Sequence, residues 1–258
     1  MKMASVWSGM DMPDLDLKRY ERQTRLSGWG VETQQRLKGS RVFVAGAGGL
    51  GCPAALNLAL AGVGHIRVCD FDTVEISNLN RQFLYTEQSI GTNKAKSAQE
   101  ALFSLNPEID VEPVSYEITA HNVDDLVADA EVVIDCLDNF RARHVLNLCA
   151  VTKRIPMVHG AIWGLEGRVI FLHPPSTPCL ACIFPKTPPQ EKSPAVGAVS
   201  CAIGSVQALE TIKYLTGVGS VSTGRMLLLD FSTMKFQELE VTEDPRCPVC
   251  GQLGTGTE

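Results

Sequence analysis

The sequence predicts an α/β fold whose sheet begins parallel and turns mixed, and three observations carry that expectation. An apolar run, Val42–Ala45, breaks into Gly46-x-Gly48-x-x-Gly51 and then into the helix formers of residues 54–60. A second apolar run, His65–Cys69, ends on Asp70 and completes a strand–helix–strand unit. Strand-like and helix-like stretches then alternate to about residue 152, after which strands follow one another and the alternation weakens.

At 258 residues, 45% hydrophobic and 20% charged, the chain has room for one large domain with an appendage. Residues 1–18, rich in Met, Asp and Pro, read as a flexible N-terminus, and 19–258 as one domain. A net charge of −6 argues against nonspecific binding to nucleic acid or to an anionic membrane. No stretch is apolar enough to span a bilayer, and charges and prolines interrupt Met1–Tyr20 before a signal-peptide core develops. A cytoplasmic protein is expected, its nine cysteines reduced, and cysteines clustered at short spacing then read as metal ligands.

In chain order, Arg19-Tyr-Glu-Arg22-Gln-Thr-Arg25 is a basic cluster that, standing alone, reads as a solvated helix face. A short helix, 34–39, ends on glycine before the first strand. In the turn that follows that strand, glycines permit a tight bend and close backbone approach to phosphate, while the next helix presents free N–H groups to an anion. Asp70 stands at a suitable distance to grip ribose hydroxyls. The motif alone serves dinucleotides, flavins, S-adenosylmethionine and ATP alike.

Beyond Asp70 the chain runs through Asp72, Ser77, Asn78, Leu79, Asn80, Arg81 and Gln82, at the carboxyl end of a strand, where ligands of open α/β sheets sit. Arg81 suits a fork onto phosphate oxygens and Asn78 a donor to them, although asparagine is also a turn former. Lys94 opens a helix over 94–104, near the same pocket. A strand over 110–118, a short helix over 122–127 and a buried strand over 131–139 are expected next. Asp138, at the end of that last strand, suits Mg²⁺ on a triphosphate, and Asp138 or Asn139 also suits the N-cap of a helix over 141–152.

Two strands, 155–159 and 168–172, are expected with Gly160, Gly164 and Gly167 marking turns between them. A Pro-rich passage, 173–194, reads as a loop over the site. A helix over 196–214, interrupted at Gly204, and a strand pair, 226–230 with 235–241, complete the prediction. Cys179-Leu-Ala-Cys182 and Cys247-Pro-Val-Cys250 each offer two thiolates to one ion, and together they predict a closed, structural Cys₄ zinc site that clips the loop to the C-terminal region. A redox CxxC or inert buried thiols are the alternatives.

The ordered set of Arg19-Tyr-x-Arg22-Gln, the glycine turn with Asp70, Ser77-Asn-Leu-Asn-Arg81-Gln82, Gly91-x-x-Lys94, Asp135-Cys-Leu-Asp138-Asn139 and paired CxxC knuckles resembles the ThiF/MoeB/HesA family of ubiquitin-activating-enzyme-like adenylyltransferases. The resemblance runs from about Tyr20 to Gly251. It implies a Rossmann-like doubly wound sheet continuing into a mixed one, with a nucleotide-binding half of about 40–140 and a carrier-binding and zinc half of about 141–251. It further implies a homodimer, Mg²⁺-ATP, and a small ubiquitin-like sulfur-carrier protein with a Gly-Gly tail.

Carried over, Gly46, Gly48 and Gly49 line the ATP phosphates, Asp70 holds the ribose, and Asn78, Arg81 and Lys94 contact the phosphates. Asp138 sits on Mg²⁺, and Arg22 is an arginine finger for the partner subunit. Asp72, Ser77, Leu79, Asn80, Gln82 and Asn139 belong to the same nucleotide site. Sulfur-capturing members carry a cysteine where Pro188–Ser193 has none, and Cys201, inside a helix, is a weak substitute. An external sulfur donor is therefore expected. No rhodanese-like sulfur-transfer domain is expected after the second knuckle. Alternatives with the same fold are adenylation of a small carboxylic acid or peptide, an NAD-binding protein, and a non-catalytic scaffold.

Overall fold

The computed structural model describes residues 14–187 and 194–251. Eight strands form one sheet in the order β3-β2-β1-β4-β5-β6-β7-β8. The first five, β3 (Asp110–Val114), β2 (His65–Cys69), β1 (Arg41–Ala45), β4 (Val132–Asp135) and β5 (Met157–Trp163), are mutually parallel. β6 (Glu166–Leu172), β7 (Arg225–Asp230) and β8 (Lys235–Glu240) continue from β5 as an antiparallel meander. The expected passage from a doubly wound sheet to a mixed one is thus present in a single continuous layer.

Helices cover both faces. Helices α1 (Asp14–Arg19), α2 (Glu21–Thr24), α3 (Gly30–Gly39), α4 (Gly51–Ala61) and α5 (Lys94–Leu105) precede β3. They are followed by α6 (Val123–Val127), α7 (Phe140–Lys153), α8 (Leu180–Ile183) and α9 (Gly197–Thr216). One core joins Val42, Val44, Ile66 and Val68 to α4, α5 and α9, and the other joins Phe43, Val133, Met157 and Ile170 to α6, α7 and α8. The alternation along β1 divides the cores, since successive strand residues face opposite sides.

Local chemistry fixes the element ends. Asn93 and Asn139 accept from Lys96 N–H and Ala142 N–H and so cap α5 and α7. Asn139, not Asp138, supplies the cap at α7. Gly62 ends α4 in the left-handed conformation, with φ of 88°.

Several expectations need correction. The third strand stops at Val114, well short of 118, and the fourth spans Val132–Asp135 where 131–139 was expected. Of the glycines read as turns after β5, only Gly164 lies in one. Gly160 and Gly167 lie within strands, because a Cβ there would come within 2.3 Å of Gln207 and Ile203 of α9. Gly204 does not interrupt α9: a Cβ at that position would lie 2.3 Å from the Leu50 carbonyl, so glycine lets α9 press against α4. The Pro-rich passage contains a short helix, α8, with residues 188–193 outside the described set, as are residues 1–13 of the expected flexible terminus.

Candidate active site

Between β1 and β4 the strand order reverses direction, and the carboxyl ends of these two strands form the crevice in which open α/β sheets bind ligands. The glycine turn occupies this crevice. Gly46 adopts φ of 93°, and a Cβ on it would stand 2.9 Å from the Cys136 carbonyl at the end of β4. A Cβ at Gly51 would lie 1.9 Å from the Gly46 carbonyl, so the turn closes on itself only with glycine at both positions. Gly48 and Gly49 lie between these contacts, with the Gln82 amide and Ser200 hydroxyl nearby.

Asp70 braces the turn from β2. Its Oδ2 accepts from Ala47 N–H at 2.8 Å and its Oδ1 from Asp72 N–H at 2.9 Å. A carboxylate has about four acceptor sites, so hydroxyls of a ligand still find capacity there. Burial raises the Asp70 carboxyl above its ordinary range, and the Lys94 ammonium works against that rise. Lys94 is 7% exposed and donates to Asp72 Oδ2 at 2.9 Å, which orients its charge beside Asp70.

Residues 77–82 pass between the glycine turn and the first turn of α9. A Cβ on Gly197 would lie 2.6 Å from the Asn80 carbonyl, and one on Gly49 would lie 3.5 Å from Arg81 Cδ. Arg81 is steered by the Ser77 carbonyl at 2.9 Å and by Asn80 Oδ1 at 3.0 Å. Asn78 is buried, its Oδ1 accepting from Glu75 N–H, and Leu79 packs on the core, so these two shape the segment. Gln82 is also buried, with Oε1 unpartnered among the described residues. Asp138 is exposed at the carboxyl end of β4, with Asn139 Nδ2 3.5 Å away.

The fold therefore gathers Gly46, Gly48, Gly49, Asp70, Asp72, Lys94, Arg81 and Asp138 along one edge. It leaves Arg22 elsewhere. Its neighbours dock on the far end of α4: Gln23 donates to the Ala61 carbonyl at 3.0 Å, and a Cβ on Gly62 would stand 2.6 Å from the Tyr20 ring. The eleven residues of α4 span about 16 Å, more than an arginine side chain bridges, between Arg22 and its own glycine turn.

The sequence reading missed the role of the buried residues under this edge. Asp135 accepts from His159 Nδ1 at 2.7 Å and from Leu137 N–H at 3.1 Å. Arg143 donates to the carbonyls of Leu137 and Gly160, and Gln207 to those of Asp135 and Val158. The isolated acid at the end of the apolar run 132–135 was the available signal.

The four paired cysteines converge, with Cys179 and Cys182 Sγ 3.9 Å apart, Cys179 and Cys247 3.6 Å, and Cys182 and Cys250 3.3 Å. A tetrahedral ion with Zn–S bonds of about 2.3 Å requires sulfurs about 3.8 Å apart. The set fits zinc and is too open for disulfides, whose sulfurs lie about 2.05 Å apart. No helix among the described residues is long and apolar enough to cross a membrane.

Comparison with known proteins agrees with this geometry. A sulfur carrier protein adenylyltransferase of Thermus thermophilus is 41% identical, over 94% of this chain and 94% of its own length. The SAMP-activating enzyme E1 of Haloferax volcanii is also 41% identical, over 95% of this chain and 92% of its own. The Anopheles gambiae adenylyltransferase and sulfurtransferase MOCS3 matches at 41% identity, but this chain spans only 57% of that protein. Among solved structures, Escherichia coli MccB with ATP superposes with a TM-score of 0.82 at 22% identity, over 93% of this chain and 82% of that one, a likeness of fold. The model of the ThiF family matches residues 20–249, and with relatives of this identity along nearly its whole length the chain belongs to the ThiF family.

Proposed function

We propose that this protein is an ATP-dependent adenylyltransferase that activates the C-terminal glycine carboxylate of a small ubiquitin-like sulfur-carrier protein as an acyl adenylate, releasing pyrophosphate. The observation that carries the reading is the convergence of the glycine turn, Arg81, the Asp70–Lys94 pair and Asp138 at one switch point. In this reading the turn and the N-terminus of α4 bind phosphates, Asp70 takes the ribose, and Arg81 and Lys94 offset phosphate charge. A lone dinucleotide site would have no use for the last two cations and Asp138 together.

Asp138, exposed at the pocket edge, holds Mg²⁺, which supplies charge neutralisation on the triphosphate. Residues of about 40–140 form the nucleotide half, and those of about 141–251 receive the carrier and hold structural zinc. Because Arg22 stands at the far end of α4 from its own pocket, it serves the pocket of a partner subunit in a homodimer. An external donor delivers sulfur to the adenylate, in the cytoplasm. The test is ATP–pyrophosphate exchange against a panel of Gly-Gly-tailed carriers. Exchange that depends on one carrier supports the reading, and tighter calorimetric binding of NAD than of Mg²⁺-ATP overturns it.

A further inference from the structure

On the α7 face of the sheet, beside Asp138, lies a polar cluster that the nucleotide site does not use. β5 outruns β4: Asp135, the last residue of β4, pairs with His159, and β5 continues to Trp163 toward the ligand edge. Arg168 of β6 is the register partner of Ala161 in this extension, and so lies on the same face as His159 and one pair nearer that edge. Its neighbour Gly167 faces α9 on the other side. The Arg168 guanidinium carbon sits 4.8 Å from the Phe184 ring, that of Arg143 5.1 Å from Phe140, and the two rings meet edge-on at 5.5 Å.

The cluster has more positive charge than its one carboxylate offsets. Asp135 lies 3.6 Å from Arg143 and is already engaged by His159 and Leu137. Burial brings His159 down to about 4, so its ring is neutral at pH 7. Among the described residues, the buried atoms Arg143 Nε and Arg168 Nε have no hydrogen-bond partner, and neither does Asn147 Nδ2, one helical turn beyond Arg143. Arg143 Nε still faces Asp135 Oδ2 at 3.6 Å, beyond hydrogen-bond length, whereas Arg168 Nε, cationic and walled by the Phe184 ring, has no acceptor among the described residues and is costly unless one arrives. Burial and the nearby Arg143 together lower Arg168 to about 10, as expected of a guanidinium short of negative charge.

Adenylation brings two anions together, a carboxylate and the α-phosphate. The cations on the glycine-turn side, Arg81 and Lys94, serve the phosphates, and Lys94 is already paired with Asp72. The carboxylate needs a counter-charge of its own. We propose that Arg168, backed by Arg143, binds the reacting carboxylate of the acyl substrate and so sets its approach to the α-phosphate. The inference rests on the adenylation reading above. In the step it serves, a carboxylate oxygen forms the bond to the α-phosphorus as the bond to the bridging oxygen breaks. The electron pair leaves with pyrophosphate, and no proton moves. Arg168 offsets the repulsion of approach and fixes the attacking oxygen.

The test compares Arg168→Met and Arg168→Lys with the parent in exchange driven by the Gly-Gly-tailed carrier, and in inhibition by the same carrier ending in a carboxamide. Arg168→Met is expected to lower kcat/KM for the carrier about 10- to 100-fold, the worth of a charged hydrogen bond. Its preference for carboxylate over carboxamide should collapse toward one. Mg²⁺-ATP affinity and zinc content should match the parent, and Arg168→Lys should recover part of the preference. Arg168→Gln, neutral and similarly polar, serves the same comparison if the methionine variant does not fold. Parental carrier kcat/KM and parental discrimination in the neutral variant overturn the role of Arg168. A parent protein that exchanges with no carrier instead overturns the adenylation reading itself, and Arg168 with it.

Discussion

The nucleotide crevice and the cysteine cluster are held together by different means. At the β1–β4 crevice, backbone meets backbone: Gly46 against the Cys136 carbonyl, Gly51 against the Gly46 carbonyl, and Gly204 of α9 against the Leu50 carbonyl leave no space for a methyl group. Where α8 meets α7, the small cluster consists of Val151, Ala181 and cysteines with Val249 packed against them, with little apolar area to bury. Precision comes from absent side chains in the first region and from four thiols in the second. Chemistry that needs atoms placed to within an ångström belongs where the packing is backbone-limited, and an ion is needed where the core is thin.

If that division holds, perturbing each region should leave the other's function intact. The largest expected effect is on the thiol side. If the four thiols hold one zinc per chain, as proposed, Cys247→Ser should abolish it and cost several kcal/mol of stability, while the folded fraction still binds Mg²⁺-ATP near parental affinity. Metal analysis, unfolding and calorimetry on one preparation check it, and a full zinc complement in the variant contradicts the site.

Next is Gly51→Ala. The added methyl would meet a backbone oxygen at 1.9 Å, so the turn must shift, at a cost of roughly 1–3 kcal/mol. Displacement of the turn should lower the exchange rate by about 100-fold with zinc retained. Unchanged exchange would show that the turn is not phosphate-limiting.

How far the sequence disclosed these regions follows from the range of the interactions. Gly46, Gly48, Gly51 and Asp70 were legible because a glycine turn between strand and helix is local chemistry. The cysteines were legible by spacing, although only the fold could show Cys179 meeting Cys247 at 3.6 Å. Gly160, Gly167 and Gly204 were misread as turns or breaks because their cause is a neighbouring helix, invisible along the chain. Asp135, Arg143, His159 and Arg168 escaped for the same reason: their elements meet only when β4, β5, β6 and α7 pack. The position of Arg22, far from its own turn, likewise emerges only in three dimensions.

A smaller expected effect sharpens the view of that buried cluster. His159 has a folded value of about 4, below its ordinary 6.5, because burial disfavours its charged form. The unfolded chain therefore takes up the proton first. This contribution to stability is complete above about pH 6.5 and drains as pH falls toward about 4, at up to about 1.4 kcal/mol per pH unit. The Asp135 carboxyl, which Arg143 and His159 hold below its ordinary range against the opposing effect of burial, adds a loss of the same sign at still lower pH. His159→Gln should flatten the slope of the urea midpoint between pH 6.5 and 4. An unaltered slope would mean that His159 titrates normally.

The central claim is that adenylation occurs in a pocket completed by a second subunit, and mixing two inactive variants tests it most directly. Arg22→Ala lacks the finger but keeps its own pocket, and Asp138→Ala keeps the finger but lacks the metal contact at the carboxyl end of β4. Heterodimers of the two contain one pocket with native Asp138 and native Arg22 from the opposite chain, and one pocket with both defects. The account expects carrier-dependent ATP–pyrophosphate exchange to return in the mixture to a fraction of the parental rate, with neither variant active alone. Demonstrated subunit exchange without recovered activity would contradict it and return Arg22 to the status of a solvated surface charge.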